Sequence, residues 1–298
     1  MKNIVLFIFL FISPVLCFAN HERADTFSLP LVLMQATFKI EKSGSTGTCF
    51  ILTHQQKNNP ENSYFVLITA KHVLDDIKGD YANIHLRKKV GTQYERLIHR
   101  IQIRKDDKPI WVSHPSADVA ALHVSIPKDS HIFSSKKYVS TALLADDTLL
   151  KKHEVQPGDE LMVLGYPLGA ESNQSGFPIL RSGRIASYPL VPSKETKTFL
   201  MDFEIFRGNS GGPVFLFDRN RFYDGEMQFG RFRLVLGLVS KEKGLDEKIK
   251  SLEEVTIKRH RLSIAEIVHA SLIRETIELL FPEDPIPEAT SKKDDKNN

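Results

Sequence analysis

The chain has 298 residues, 41% of them apolar, and 40 Lys and Arg against 37 Asp and Glu leave a formal charge of +3. A chain of this size can bury a substantial core, in one large domain or two closely packed ones. Its near balance of charge gives no electrostatic footprint for nucleic acid or an acidic membrane surface, so no nucleic-acid role is expected.

The opening segment has Lys2, an unbroken apolar run from Ile4 to Phe11, and then Cys17-Phe18-Ala19. This is the layout of a secretory signal over residues 1–19, with small residues that suit cleavage after Ala19. The apolar run falls short of the roughly 17–25 residues a membrane span needs, so no stable membrane insertion is expected after cleavage. An uncut membrane anchor is the competing reading. The expected location is exported, either periplasmic or extracellular. Cleavage would remove Cys17 and leave Cys49 alone, so no internal disulfide can form and stability must come from packing.

From Leu31 to Ser240, short apolar or alternating runs separated by Gly, Pro, Asn and Asp clusters predict an all-β fold, a sandwich or barrel. In chain order the clearest strands are expected over 34–40, 49–53, 64–69, 83–87, 97–103, 119–124, 160–165, 180–187, 199–203, 214–217 and 232–240. The segment Asp218 to Arg233 is expected to lengthen a hairpin. Apolar residues then recur at steps of three and four, which predicts a C-terminal amphipathic helix over 263–280. The tail 282–298 is Pro-rich and charged, with too few apolar groups to offset ordering, and is expected to be disordered.

The strongest local signal for chemistry is Gly208-Asn209-Ser210-Gly211-Gly212-Pro213, a glycine-rich turn leading into an apolar strand. A serine hydroxyl is a poor nucleophile unless a base takes its proton and donors await the developing oxyanion. With no Cβ at Gly208, the turn can aim the N–H groups of Gly208 and Ser210 into one hole. Taken alone, a glycine-rich β-turn with an incidental Ser is the competing reading of the segment. Upstream, His72 follows an apolar strand where a loop begins, and Asp118 opens the small apolar run Val119-Ala120-Ala121-Leu122. Each is ambiguous singly. The order His, Asp, Ser matches the chymotrypsin type and neither the subtilisin nor the α/β-hydrolase order.

On these residues the chain resembles the trypsin-like serine peptidases, and their bacterial HtrA-like branch in particular. Thr69-Ala70-Lys71-His72-Val73, Asp118-Val119-Ala120 and the Gly208–Pro213 turn carry the resemblance. Gly47-Thr48-Cys49-Phe50, Gly165-Tyr166-Pro167, Ser182-Gly183-Arg184-Ile185 and Gly237-Leu238-Val239-Ser240 extend it in order. It implies a peptidase domain over 31–281 built of two perpendicular six-stranded β-barrels, the first over about 31–140 and the second over about 155–245. It also implies an exported serine endopeptidase that hydrolyses a polypeptide substrate through an acyl-enzyme, with Ser210 attacking, His72 as base, Asp118 orienting it, and no metal or organic cofactor.

Asn209 stands where animal zymogens have an Asp that pairs with a newly cut N-terminus, so that activation route is not expected. By the same resemblance Glu204 and Ser240 are candidate substrate-binding residues, Glu204 pointing to a basic P1 side chain or simply facing solvent. Cys49 is expected to be a small buried hydrophobe. Too few residues follow Ser240 for the PDZ domain usual in HtrA-like proteins. The alternative to the enzyme is a catalytically silent scaffold that acts as a protein-binding module.

Overall fold

The computed structural model describes residues 28–56, 59, 62–131, 139–223, 225–250 and 255–286. The expected signal segment and residues 287–298 lie outside them.

Where the sequence pattern predicts a strand from Met34, the chain first forms a helix. α1 (Leu29–Ala36) carries a Pro in its first turn, where a fixed φ suits the helix and the missing N–H costs no bond. Leu29, Leu33 and Ala36 recur at helical steps and are buried. The strand therefore starts at Thr37. β1 (Thr37–Lys42) and β2 (Ser45–Gln55) are joined by Ser43 and Gly44, both at positive φ, which matches the twist of the flanking strands. β3 (Ser63–Thr69) pairs with β2 and runs into the short helix α2 (Lys71–Asp76).

β4 (Tyr81–Val90) and β5 (Gln93–Gln102) form the next hairpin, followed by a ribbon of β6 (Arg104–Lys105) and β7 (Lys108–Pro109). The β6–β7 ribbon stands apart, while β8 (Val112–Ser113) and β9 (Ala120–His123) join β1 to β5 in a seven-stranded sheet in the order β5-β4-β1-β2-β3-β9-β8. The first half was expected to be a six-stranded barrel. A seventh strand appears because the two-residue β8 pairs with β9 just ahead of Asp118, too short to leave a periodic signal.

The second half opens with α3 (Asp147–Lys152), capped by Asp146, whose carboxylate accepts the Leu149 N–H at 2.9 Å. β10 (Glu160–Gly165), β11 (Ile179–Ile185), α4 (Ser193–Thr196), β12 (Thr198–Asp202), β13 (Pro213–Tyr223), β14 (Glu226–Lys250) and β15 (Val255–His269) follow. The strands close a six-stranded barrel, β10-β11-β12-β15-β14-β13. The expected hairpin extension is present, since β13 and β14 pair out to Tyr223 and Glu226.

The expected helix over 263–280 is shorter. α5 spans Ala270–Leu280, and residues 263–269 belong to β15, bonded to β12 on one side and β14 on the other. Ala265, Ile267 and Val268 are all fully buried, and a strand enclosed on both faces places apolar residues at steps that imitate a helix. The barrel thus runs to His269, well past residue 245. Of the tail expected to be disordered, residues 282–286 are packed instead: Ile286 is buried and the Asp284 carbonyl lies 2.5 Å from His54 Nε2, next to Phe281, which stacks on Tyr64 with centroids 4.4 Å apart. One apolar cluster joins both halves, from Leu33 and Phe38 through Val119 to Phe215 and Ile273.

Candidate active site

His72 is the second residue of α2, and Ala70 at the helix start offers no side chain to cap it. Asp118 supplies the missing acceptor from another element: its Oδ1 accepts the His72 backbone N–H at 3.0 Å, and its Oδ2 accepts from His72 Nδ1 at 2.8 Å. An ionised carboxylate can only accept, so Nδ1 carries the proton and Nε2 is left with its lone pair. Asp118 is fixed by the turn before β9, where the His114 N–H donates to the Val119 carbonyl. His114 Nδ1 accepts from the Ser116 N–H at 3.2 Å while its Nε2 reaches Glu275 on α5 at 3.0 Å, which braces the loop from the far side.

The electrostatics follow from this geometry. Burial by itself would raise the Asp118 carboxyl, but hydrogen bonds from His72 and Ser240 outweigh it and hold the group at about 2. The Asp118 hydrogen bond raises His72 above the ordinary imidazole value, against the opposing effect of burial, with the charges of Asp118, Asp76 and Asp75 adding to the rise.

Ser240 sits at a β-bulge. Val239 pairs with Ile267 and Lys241 with Glu266, which leaves Ser240 as the extra, unpaired residue. Its Oγ donates to Asp118 Oδ2 at 2.6 Å, and its carbonyl accepts from Ser210 Oγ at 2.9 Å. Ser240, expected as a substrate-binding residue, is thus a direct partner of both Asp118 and Ser210.

The Gly208–Ser210 turn is held on several sides. The Gly211 N–H donates to the Val239 carbonyl at 2.7 Å, and the Ser210 carbonyl accepts the Thr48 N–H at 2.9 Å. Gly208 has φ +97 and Gly211 φ +86, both left-handed. A Cβ on Gly211 would lie 2.1 Å from the Thr48 carbonyl, 2.2 Å from Thr69 Oγ1 and 3.0 Å from the Ala70 nitrogen. The turn is therefore pressed against the β3–α2 junction that carries His72. Among the described residues, neither the Gly208 nor the Ser210 N–H makes a backbone hydrogen bond. Thr48 links the halves, its Oγ1 donating to the Gly208 carbonyl at 2.7 Å and accepting from the Tyr166 N–H at 3.2 Å. Its only trace in the sequence is the Gly47–Phe50 match, which carries no hint of that bond.

His72, Asp118 and Ser240 line a cleft of about 560 Å³, whose other walls include Lys71, Lys197, Lys241 and Glu266. Glu204 is not among its lining residues. Its side chain is exposed, its carbonyl accepts from Arg181 Nη1 at 2.8 Å, and Arg261 donates to the neighbouring Ile205 carbonyl at 2.6 Å. Cys49 is fully buried, and that burial drives its thiol well above the ordinary range. Among the described residues no group of three or more His, Cys, Asp or Glu is placed to hold a metal ion, and no helix is long and apolar enough to cross a membrane.

The model of the trypsin-like peptidase domain matches residues 47–223, which include His72, Asp118 and Ser210. The chain belongs to the trypsin-like peptidases. This peptidase domain thus sits in a family of serine proteases, with a polypeptide as the substrate class. No curated protein matches its sequence. Among solved structures it is similar to the thermostable serine protease AL20 from an extremophilic microorganism, at 12% identity and a TM-score of 0.44 over 84% of this chain and 98% of that one. Protease Anisep from Arthrobacter nicotinovorans shows 14% identity and a TM-score of 0.44, over 82% and 94% of the two chains. The scabies mite inactivated protease paralogue S-D1 shows 13% identity and a TM-score of 0.48, over 86% and 97%.

Proposed function

We propose that the chain is an exported serine endopeptidase acting through an acyl-enzyme on Ser210. The observation that carries this reading is the double grip of Asp118 on His72, which leaves Nε2 unprotonated on the helix that follows the junction packed against the Ser210 turn. In this mechanism Ser210 Oγ adds to the scissile carbonyl carbon and its proton passes to His72 Nε2. The N–H groups of Gly208 and Ser210, free of backbone acceptors among the described residues, receive the oxyanion. Collapse expels the amine with the proton from His72, and water activated by the same nitrogen hydrolyses the ester. Asp118 stays ionised throughout and stabilises the imidazolium.

A second reading, a catalytically silent scaffold that binds proteins, draws on one observation: the Ser210 hydroxyl donates to the Ser240 carbonyl, and no hydrogen bond joins it to His72. For the enzyme this is a resting rotamer that a single χ1 rotation undoes. Labelling the mature protein with a fluorophosphonate probe, beside Ser210→Ala and His72→Ala, decides between them. Labelling that depends on both residues supports the peptidase, and its absence in the parent protein leaves the scaffold. Export is tested separately, by the N-terminal sequence of the protein recovered outside the cytoplasm, with Asn20 expected first.

A further inference from the structure

Arg87 on β4 is the largest fully buried side chain among the described residues, and it faces no carboxylate. Its Nη2 donates to the carbonyls of Gln35 and Thr37, each at 2.9 Å, and to Met34 at 3.2 Å, at the C-terminal end of α1. Its Nη1 donates to the Gly176 carbonyl at 2.8 Å and reaches the Tyr166 hydroxyl at 3.4 Å. Phe38 and Phe177 cover the guanidinium, at 4.5 and 4.3 Å. Glu171, the acid whose charge it senses, is already engaged by Lys39 and Arg96. Stripping a cation of water without a carboxylate partner is costly, and an apolar side chain would fill the same space. What the guanidinium supplies is a fan of directed donors that fixes several carbonyls and one hydroxyl in space.

That hydroxyl belongs to a residue that touches the nucleophile turn. Tyr166 is fully buried, with its OH 3.0 Å from the Gly176 carbonyl and 3.2 Å from that of Thr37. At its other end the Tyr166 N–H donates to Thr48 Oγ1, which in turn donates to the Gly208 carbonyl. The Tyr166 carbonyl would stand 2.2 Å from a Cβ on Gly208, and the Leu168 N–H donates to the Arg207 carbonyl at 2.6 Å. The turn thus rests on residues 166–168 along one flank. From within, Asn209 offers it no charge: the side chain is buried and its Nδ2 has no partner among the described residues.

We infer that Arg87 and Tyr166 are positioning residues, a strut that fixes the Gly208–Ser210 turn with its two N–H groups unspent, a role that rests on the hydrolase reading above. The strut runs from the end of α1 through the first sheet to the barrel, so the turn is set by side chains already present in the folded chain.

The test compares Tyr166→Phe, which removes one hydroxyl, and Arg87→Met with the parent protein. Amide hydrogen exchange at Leu168, Asn209 and Gly212 needs no turnover and is expected to run about tenfold faster in Tyr166→Phe, with the β10 amides and the β2 amides other than Thr48 unchanged. Fluorophosphonate labelling should slow at least tenfold, with the pH midpoint unmoved and KM for a peptide substrate unchanged, as expected when only transition-state donors are misplaced. Exchange at parent levels overturns the inference, whether or not labelling slows. Should Arg87→Met fail to fold, Tyr166→Phe still decides. A parent protein that never labels at Ser210 sinks the hydrolase reading instead, while the exchange comparison continues to judge the strut.

Discussion

Ser240 Oγ donates to Asp118 Oδ2 at 2.6 Å while the Ser240 carbonyl holds the Ser210 hydroxyl at 2.9 Å, so one bulged residue bridges Asp118 and Ser210. Ser240→Ala removes a charge-assisted bond from Asp118 and keeps the carbonyl. A bond of that kind is worth about 1.5–3 kcal/mol, of which only part is felt in the transition state, so kcat/KM should fall about tenfold. The Asp118 carboxyl should also rise above about 2, since one of the bonds holding it down is gone. Steady-state kinetics and an NMR titration of the carboxyl read the two effects.

Asp118→Asn should be far more damaging. An amide nitrogen facing Nδ1 favours the wrong tautomer and strips Nε2 of its role as acceptor, at a cost of about 10³–10⁴ in rate. Labelling rates at fixed pH measure this, and a loss under tenfold would contradict the role assigned to Asp118.

Activity should depend on pH through His72. Its Asp118 hydrogen bond raises it above the ordinary value of about 6.5, and only the neutral ring accepts a proton, so the rate should fall with decreasing pH through a midpoint above 6.5. Stability should follow Asp118 with the opposite sign. Its folded value of about 2 lies below the unfolded value of about 3.9, so its contribution is present above 3.9 and is lost as pH falls towards 2. Thermal unfolding of the parent protein and Asp118→Asn should therefore begin to converge below about pH 4 and meet near pH 2.

Gly211→Ala places a methyl within 2.2 Å of both the Thr48 carbonyl and Thr69 Oγ1 at φ +86, where a side chain is already strained. Overpacking and backbone strain together should destabilise the fold by about 2 kcal/mol or more. Denaturant unfolding of the variant in a Ser210→Ala background separates that loss from any self-cleavage.

Truncation after Leu280 should also destabilise, by about 2 kcal/mol. It removes the Phe281 stack on Tyr64, the buried Ile286 and the Asp284 carbonyl beside His54. A melting temperature equal to that of the full chain would show the segment to be idle.

Much of the architecture is legible in the amino-acid order. Alternation and turn residues place β10 at Glu160–Gly165, residue for residue, because a strand between Gly and Asp punctuation has a period that few other structures share. The pattern misleads where a strand is covered on both faces, as at Ala265–Val268, or where a proline-led helix precedes the first strand, as at Leu29–Ala36. For Glu204 the sequence left a substrate contact and a solvent-facing side chain both open, and the side chain is exposed, because its position relative to Ser210 carries no information about which way that chain points.

By itself the sequence determined the all-β class, the glycine turn around Ser210, and the candidates His72 and Asp118. Those depend on local periodicity and on residue types that few other chemistries require. The tertiary structure alone decided that Asp118 caps the helix bearing His72, that a bulge turns Ser240 onto Asp118, and that Arg87 reaches the turn through Tyr166. Each of those contacts joins residues 46 to 122 positions apart. A hydrogen bond is decided within a few tenths of an ångström, a precision that only the packed sheets supply.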